Sequence, residues 1–237
     1  MTRQKKKKFN PIRVLNQRTF RKNKGRNWVA VLAILMTTLM FTTLFTLAQS
    51  MNKNLVEMTF RQTGYDAQAS FKEITPEQAD KLAAHPNVKE LGESIVLGLA
   101  ENGKLAGRQV EIRWANDSYA THSFAAPTTG QMPQATNEVA LDTITLDRMG
   151  IPHELGQTVT LEWRKDLSDQ NAEPLQEEFT LCGFWEGNES SYASMAWVSR
   201  EYADQKTGGD LTAENGVFGL YMAQVNLYSD RNIEASL

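Results

Sequence analysis

The sequence predicts an α+β protein with one N-terminal transmembrane helix followed by a mixed α/β extracytoplasmic domain. Three observations predict it. Trp28 to Leu47 is a run of twenty residues without a charge, and a helix of that length, at about 1.5 Å per residue, spans roughly the 30 Å of a bilayer's hydrocarbon core. The first 26 residues hold eleven Lys or Arg and no Asp or Glu, a basic flank of the kind retained on the cytoplasmic side. After the apolar run, strand-like segments alternate with short capped helices, and a hairpin signal lies among them. The organisation read from this is 1–27, a basic cytoplasmic tail with an amphipathic helix; 28–50, the transmembrane helix; and 51–237, the extracytoplasmic domain.

The tail opens with Lys5 to Lys8 and reads as solvated and unstructured up to residue 9. Pro11 suits a first helical position, and a helix is expected to Asn23 with Gly25 ending it. Phe9, Ile12, Leu15 and Phe20 fall on one side of that helix and basic residues fill most of the rest. Ile12, Leu15 and Phe20 are therefore the candidate contact residues. Two occupants fit the face: the inner membrane surface, where anionic lipid attracts each basic residue by about 1 kcal/mol, or a cytoplasmic partner protein.

Within the apolar run, Thr38, Thr42 and Thr46 recur four residues apart on one face, with Ala30 and Ala33 toward the inner end. Small and hydroxylated faces serve helix-to-helix packing in bilayers, while Thr is also tolerated facing lipid. A cleaved signal peptide competes with a retained anchor, since Thr46-Leu47-Ala48 before Gln49-Ser50 has small-residue character. The run is longer than the usual 7 to 15 apolar residues of a signal, and its basic flank is longer too.

Beyond residue 50, Asp66 to Ile74 reads as a strand. Thr75-Pro76-Glu77-Gln78 supplies an N-cap, a proline at the first helical position and a glutamine at the third, for a helix to Ala84 stopped before Pro86. Val88 to Ala100 and Arg108 to Ala115 are strand-like around Asn102-Gly103, a two-residue hairpin signal. Glu138 to Leu141 is a strand, and Asp142 caps a helix closed by Gly150. Thr158 to Trp163 and Leu175 to Phe184 read as paired strands around a polar loop. Ala196 to Val198 is a short strand, Ser199 caps a helix to Gln205, and Val217 to Tyr228 is a last strand. Ser229 to Glu234 looks like a cap and first helical turn, from which a longer protein is expected.

Composition narrows the function. Outside the tail, 14 basic residues face 28 acidic ones, so the large domain offers no phosphate-binding surface and nucleic acid is excluded as its partner. One cysteine, Cys182, permits no intrachain disulfide.

No residue pattern points to covalent chemistry. Gly98 to Leu105 has the glycine and lysine spacing of a phosphate-binding loop, but Leu105 stands where Ser or Thr must reach magnesium. His85, His122 and His153 are widely separated and lack ligand spacing. Cys182 lies in an apolar strand-like run and reads as a small core residue. No Gly-x-Ser-x-Gly elbow occurs. The expectation is a protein without catalytic residues, cofactor or metal.

The segment Leu15 to Asn27, LNQRTFRKNKGRN, leading into an apolar span, resembles the start of FtsX-like, MacB-like permease subunits of ABC transporters. Thr75 to Leu91, TPEQADKLAAHPNVKEL, is similar to that family's helix and Pro-x-Val segment. Gly130-Gln131-Met132-Pro133, Asn137-Glu138-Val139-Ala140-Leu141, Gly150 to Gly156 and Phe179 to Gly183 resemble its following motifs in order, so the resemblance extends over most of 15–235. It implies a mixed α/β core domain outside the membrane and a cytoplasmic ABC ATPase as partner. It also implies a second permease subunit, in a homodimer or heterodimer, and work done on an extracytoplasmic substrate. The family's later membrane helices are not in this sequence. Two other readings stand beside it: a single-pass sensor or ligand-binding protein, and a secreted enzyme behind a signal peptide, for which no acid, base or nucleophile cluster is found.

Overall fold

The computed structural model describes residues 11–105, 107–164, 173–209, 211 and 220–229. The chain divides into two units, Met1–Val56 and Glu57–Leu237, and each is considered by itself. Residues 1–9, Val217 to Gly219 and Asp230 to Glu234, to which tail, strand and helix were assigned above, lie outside the described residues.

The first unit is helical. Helix α1 spans Pro11–Lys22 and α2 spans Lys24–Thr63. Gly25 does not end the amphipathic helix as expected; it lies in the first turn of α2. The break is confined to Asn23, because Asn23 N–H still reaches Thr19 O at 3.2 Å and Asn27 N–H reaches Asn23 O at 3.0 Å. Asn27 adds a side-chain bond to Phe20 O at 3.2 Å.

Among the described residues α2 is the one helix long and apolar enough to cross a membrane. Its threonines answer their own hydroxyls: Thr37 donates to Ala33 O at 2.7 Å, and Thr38, Thr42 and Thr46 donate to Ile34, Thr38 and Thr42 carbonyls at 2.8 Å each. Thr43 donates to Leu39 O in the same way. A hydroxyl bonded back to its own helix tolerates lipid without a second helix.

Among its described residues the second unit is built on nine strands: β1 (Ala69–Lys72), β2 (Val88–Ala100), β3 (Val110–Ala115), β4 (Thr129–Gly130), β5 (Glu138–Asp142), β6 (Thr158–Arg164), β7 (Leu175–Trp185), β8 (Ser194–Val198) and β9 (Leu220–Leu227). Between them lie α3 (Pro76–Ala83), α4 (Asp117–His122), α5 (Thr143–Met149) and α6 (Arg200–Thr207). The order is β1-β9-β2-β3-β8-β5-β7-β4, with β6 pairing both β2 and β7. Strands β2, β3, β8, β5, β7 and β6 thus close a ring. The β3–β8 and β5–β7 pairs are parallel and the remainder antiparallel.

The ring closes where β2 lacks side chain. A Cβ on Gly98 would sit 2.7 Å from both Arg164 O and the Trp163 ring, so glycine there lets Leu99 and Ala100 pair with Arg164 and Trp163. The β2–β3 register also slips between Val96 and Gly98, a bulge that turns the strand at the seam.

Local signals explain the helices. Thr75 Oγ1 accepts from Gln78 N–H while Gln78 Oε1 accepts from Thr75 N–H at 2.9 Å, a complete capping box. Asp142 accepts from Thr145 N–H at 2.7 Å, and Gly150 closes α5 at φ +74°. Ser199 caps α6.

Two expectations need correction. The strands on either side of Asn102-Gly103 do pair antiparallel, as β2 and β3, but not through a two-residue turn: a 3-10 turn, Gly103–Leu105, follows Asn102. The Asn102 amide is used in the sheet, donating to Thr160 O at 2.9 Å and accepting from Glu162 N–H at 3.0 Å. The first strand is shorter than Asp66 to Ile74, because Asp66 N–H goes to His122 O and Glu73 turns with φ +57°.

The main core draws one face from every strand of the ring: Ile95 and Leu97, Val110 and Ile112, Ala196 and Val198, Val139 and Leu141, Phe179 and Leu181, and Val159, Leu161 and Trp163. Helices α5 and α6 cover it with Leu146, Tyr202 and Ala203. Each fully buried aliphatic side chain is worth about 1.5–3 kcal/mol. A second cluster on the opposite side gathers Tyr65, Ala115, Tyr119, Ala140, Met195 and Trp197. That second side receives the end of α2.

Candidate functional site

Residues Glu57 to Thr63 of α2 belong to the second unit, and their environment is the candidate site. The helix ends in two nested bonds: Gly64 N–H reaches Arg61 O at 3.2 Å and Tyr65 N–H reaches Phe60 O at 2.9 Å. With Gly64 at φ +84° this is a Schellman cap. Glycine is required twice over, since a Cβ there would also lie 2.1 Å from the Tyr192 ring.

Arg61 fastens the last turn. Its side chain pairs with Glu57 at 2.9 Å, its guanidinium sits 4.6 Å from the centre of the Phe124 ring, and its carbonyl accepts from Tyr192 N–H at 3.3 Å. The loop carrying Tyr192 is held in turn by Arg108, which donates to Ser194 Oγ at 2.9 Å and Ser191 O at 3.2 Å.

Beneath the cap lies a buried ion pair. Strand β3 alternates, so Val110 and Ile112 enter the main core while Glu111 and Arg113 face the other way. Arg113 Nη1 meets Glu111 Oε2 at 2.9 Å, and the Arg113 side chain is 2% exposed. Its Nε donates to Ser94 Oγ at 3.1 Å and its Nη2 to Tyr119 Oη at 2.7 Å. Tyr192 Oη donates to Glu111 Oε2 at 2.9 Å, and Gln109 to Oε1 at 2.8 Å. Burial opposes the guanidinium's charge, but Tyr119 and Glu111 more than offset it and the net shift is upward. Arg113 is thus a fixed cation, tied to the cap through Tyr192.

Tyr65 packs against Tyr119 with ring centres 5.0 Å apart. Its buried hydroxyl has no hydrogen-bond partner among the described residues, and Gly92 makes room for it, since a Cβ there would come within 3.0 Å. Burial pushes that hydroxyl's pKa up. A groove of about 550 Å³ runs beside the cap, walled by Phe60, Tyr65 and Tyr192 and floored by Arg113, Met222 and Gln224. A larger open cleft, about 950 Å³, lies elsewhere between Trp114, Met132, Pro133 and the α6 residues Arg200 and Asp204.

Ile12, Leu15 and Phe20 lie on α1 in the first unit, and all three are exposed, at 70%, 67% and 64%.

The residues considered for chemistry are dispersed. Gly98 and Leu105 sit at a strand end and a 3-10 turn. His85 Nδ1 accepts from Asn87 N–H at 3.4 Å, His153 pairs with Asp147 at 2.9 Å, and His122 lies between Asp66 and Glu90. Among the described residues no group of three or more metal-ligating side chains could hold an ion. Burial pushes the Cys182 thiol up to about 12, leaving very little of the thiolate that nucleophilic chemistry needs at neutral pH.

Sequence reasoning missed the whole seat of α2. Arg113 reads as one charge in a strand, and its partners Ser94, Tyr119 and Tyr192 are scattered along the chain. The one available signal was Gly64-Tyr65 after a long helical run, a C-cap pattern.

No family model and no curated protein matches the chain. Solved structures do. The extracellular domain of the noncanonic ABC-type transporter YknZ from Gram-positive bacteria is 13% identical with a TM-score of 0.44, covering 71% of this chain and 79% of that one. The periplasmic region of MacB from Actinobacillus actinomycetemcomitans is 11% identical with a TM-score of 0.43, covering 70% and 71%. Overlap at this level assigns neither family nor activity.

Proposed function

We propose that this chain is a permease subunit of an ABC transporter, in which α2 crosses the membrane with its N-terminus inside and passes movement to the β-rich domain outside. The observation that carries the reading is the build of α2. One helix holds the apolar run Trp28 to Leu47 and, in its final turn, the Schellman cap, the Arg61 contacts and the Tyr192 packing. A helix seated by a rigid cap and a buried ion pair delivers displacement rather than absorbing it. The motif order from Leu15 to Gly183 supports the same reading.

On this proposal a separate cytoplasmic ATPase hydrolyses ATP and a second permease subunit completes the pair, as homodimer or heterodimer. This chain performs no covalent step and carries no cofactor. Its outer domain works on an extracytoplasmic substrate by export or by mechanical transmission. The exposed side of α1, with Ile12, Leu15 and Phe20, meets either the ATPase or the inner membrane surface.

The test is gentle extraction of the tagged chain from its native membrane and identification of what comes with it. An ABC ATPase is expected. Its loss on combined Ile12→Glu, Leu15→Glu and Phe20→Glu substitution assigns α1 to the ATPase, and its retention assigns α1 to lipid. Recovery of the chain without any ATPase overturns the permease reading. The single-pass ligand-binding protein would then stand, and the 950 Å³ cleft is the feature that favours it.

A further inference from the structure

Among the described residues, α2, α5 and α6 each end on a glycine at positive φ, Gly64 at +84°, Gly150 at +74° and Gly208 at +66°. Helix α4 ends in the same two nested bonds as α2, but with phenylalanine in the glycine's place. Phe124 N–H reaches Thr121 O and Ala125 N–H reaches Ala120 O, both at 3.0 Å, and Phe124 stands at φ +56°. This is again a Schellman cap. Glycine enters that backbone region freely, whereas a bulky residue there is an outlier. The other described non-glycine residue at positive φ, Glu73, is exposed in the bend after β1, while Phe124 is half-buried.

The strained turn is held on both flanks. Asp66 N–H donates to His122 O at 3.0 Å before it, and Trp197 Nε1 donates to Ala125 O at 2.7 Å after it. Backbone outliers of this kind persist only where their surroundings fix them, and they concentrate at functional positions. What phenylalanine has and glycine lacks is the ring, and the ring's neighbour is α2. Its centre lies 4.6 Å from the Arg61 guanidinium carbon. The space left among Phe124, Arg61, Gly64 and Tyr192 is about 20 Å³, room for about one water, so the ring fills the place beside the guanidinium. A left-handed bulky residue costs about as much as one half-buried cation–π contact returns. Folding stability therefore gives phenylalanine little advantage over glycine here.

We propose that Phe124 is a positioning residue for α2: it takes glycine's place at the end of α4, at a cost in backbone strain, because its ring seats Arg61 and so holds the last turn of the long helix on the β-rich domain. The strain and the grip are two sides of one choice. Removing the ring frees the helix end, and only glycine also frees the backbone. The use of this grip in passing movement to the domain rests on the permease reading; the grip itself does not.

The experiment compares wild type, Phe124→Gly, Phe124→Ala and Arg61→Met as intact proteins in lipid nanodiscs, by thermal unfolding and by hydrogen exchange at the Gly64 and Tyr65 amides and in β3 and β8. Phe124→Gly is expected to unfold about 2–4 °C above Phe124→Ala, the reverse of the usual order of these residues, because glycine alone relieves the strain. The Gly64 and Tyr65 amides should exchange about tenfold faster in Phe124→Gly and in Arg61→Met while β3 and β8 keep their protection. Phe124→Ala as stable as Phe124→Gly, or wild-type exchange at the two amides in Phe124→Gly, overturns the proposal. If neither Phe124 variant folds, Arg61→Met decides, since it leaves α4 untouched: unchanged exchange at Gly64 and Tyr65 overturns the proposal and faster exchange there supports it. No ATPase enters these measurements, so their failure leaves the permease reading standing, and failure to recover an ATPase leaves the grip standing.

Discussion

At Gly64 two independent constraints meet, a backbone angle of φ +84° and a neighbouring ring 2.1 Å from any Cβ. Gly64→Ala is expected to destabilise the second unit by about 2–3 kcal/mol, from left-handed strain plus displacement of Tyr192. In a Tyr192→Ala background the same change should cost only about 1 kcal/mol, since the ring is gone and the backbone term remains. Urea unfolding of the four proteins measures this; equal costs in both backgrounds would show that the ring does not press on the cap. Arg113→Leu leaves Glu111 buried and uncompensated, and a loss of about 3–5 kcal/mol is expected. Replacing Glu111 and Arg113 together with apolar residues should cost less than Arg113→Leu alone.

At the scale of elements, α6 is tied to the sheet through Glu177 of β7, which accepts from Trp163 Nε1 at 3.1 Å and from Tyr202 Oη and Lys206 Nζ. Burial alone would raise this carboxyl, but the bonds from Lys206, Tyr202 and Trp163 outweigh it and the net shift is downward. A folded pKa below the unfolded one means that this stabilisation is present above the ordinary value of 4.5 and lost as pH falls through the lowered one. Acid unfolding followed from pH 6 to pH 3 should therefore be less steep in Glu177→Gln than in wild type, and identical curves would remove Glu177 from the account. At the seam between β2 and β6, Gly98→Val is expected to cost about 1–3 kcal/mol by forcing a side chain against Arg164 and Trp163.

These elements also show what sequence could carry. The capping signals at Thr75, Asp142 and Ser199 are local, each satisfied within a few residues, and they were legible. The ring was not, because β6 reaches β2 across some sixty residues and Asn102 gives up its expected turn to join that contact. Helix α4 escaped for a related reason: Asn116 caps it, but the helix is a short one, Asp117–His122, directly after the strand-like run that ends at Ala115. The seat of α2 depends on Tyr192, Phe124 and Arg113, which no spacing rule connects to Arg61 or Gly64.

For the whole molecule, the central claim is that the last turn of the long helix is part of the second unit's cooperative structure. Helix ends ordinarily fray, with opening free energies near zero. Here the cap, the Arg61 contacts and the ion pair under Tyr192 oppose fraying. The most direct measurement is native-state hydrogen exchange on the intact protein in lipid, read at the Gly64, Tyr65 and Asp66 amides and at strands β3 and β8. The account predicts that the three amides share the protection of those strands and lose it together with them on Gly64→Ala. Rapid exchange at Gly64, Tyr65 and Asp66 while β3 and β8 stay protected would contradict it, leaving a helix loosely tethered to the domain it is proposed to drive.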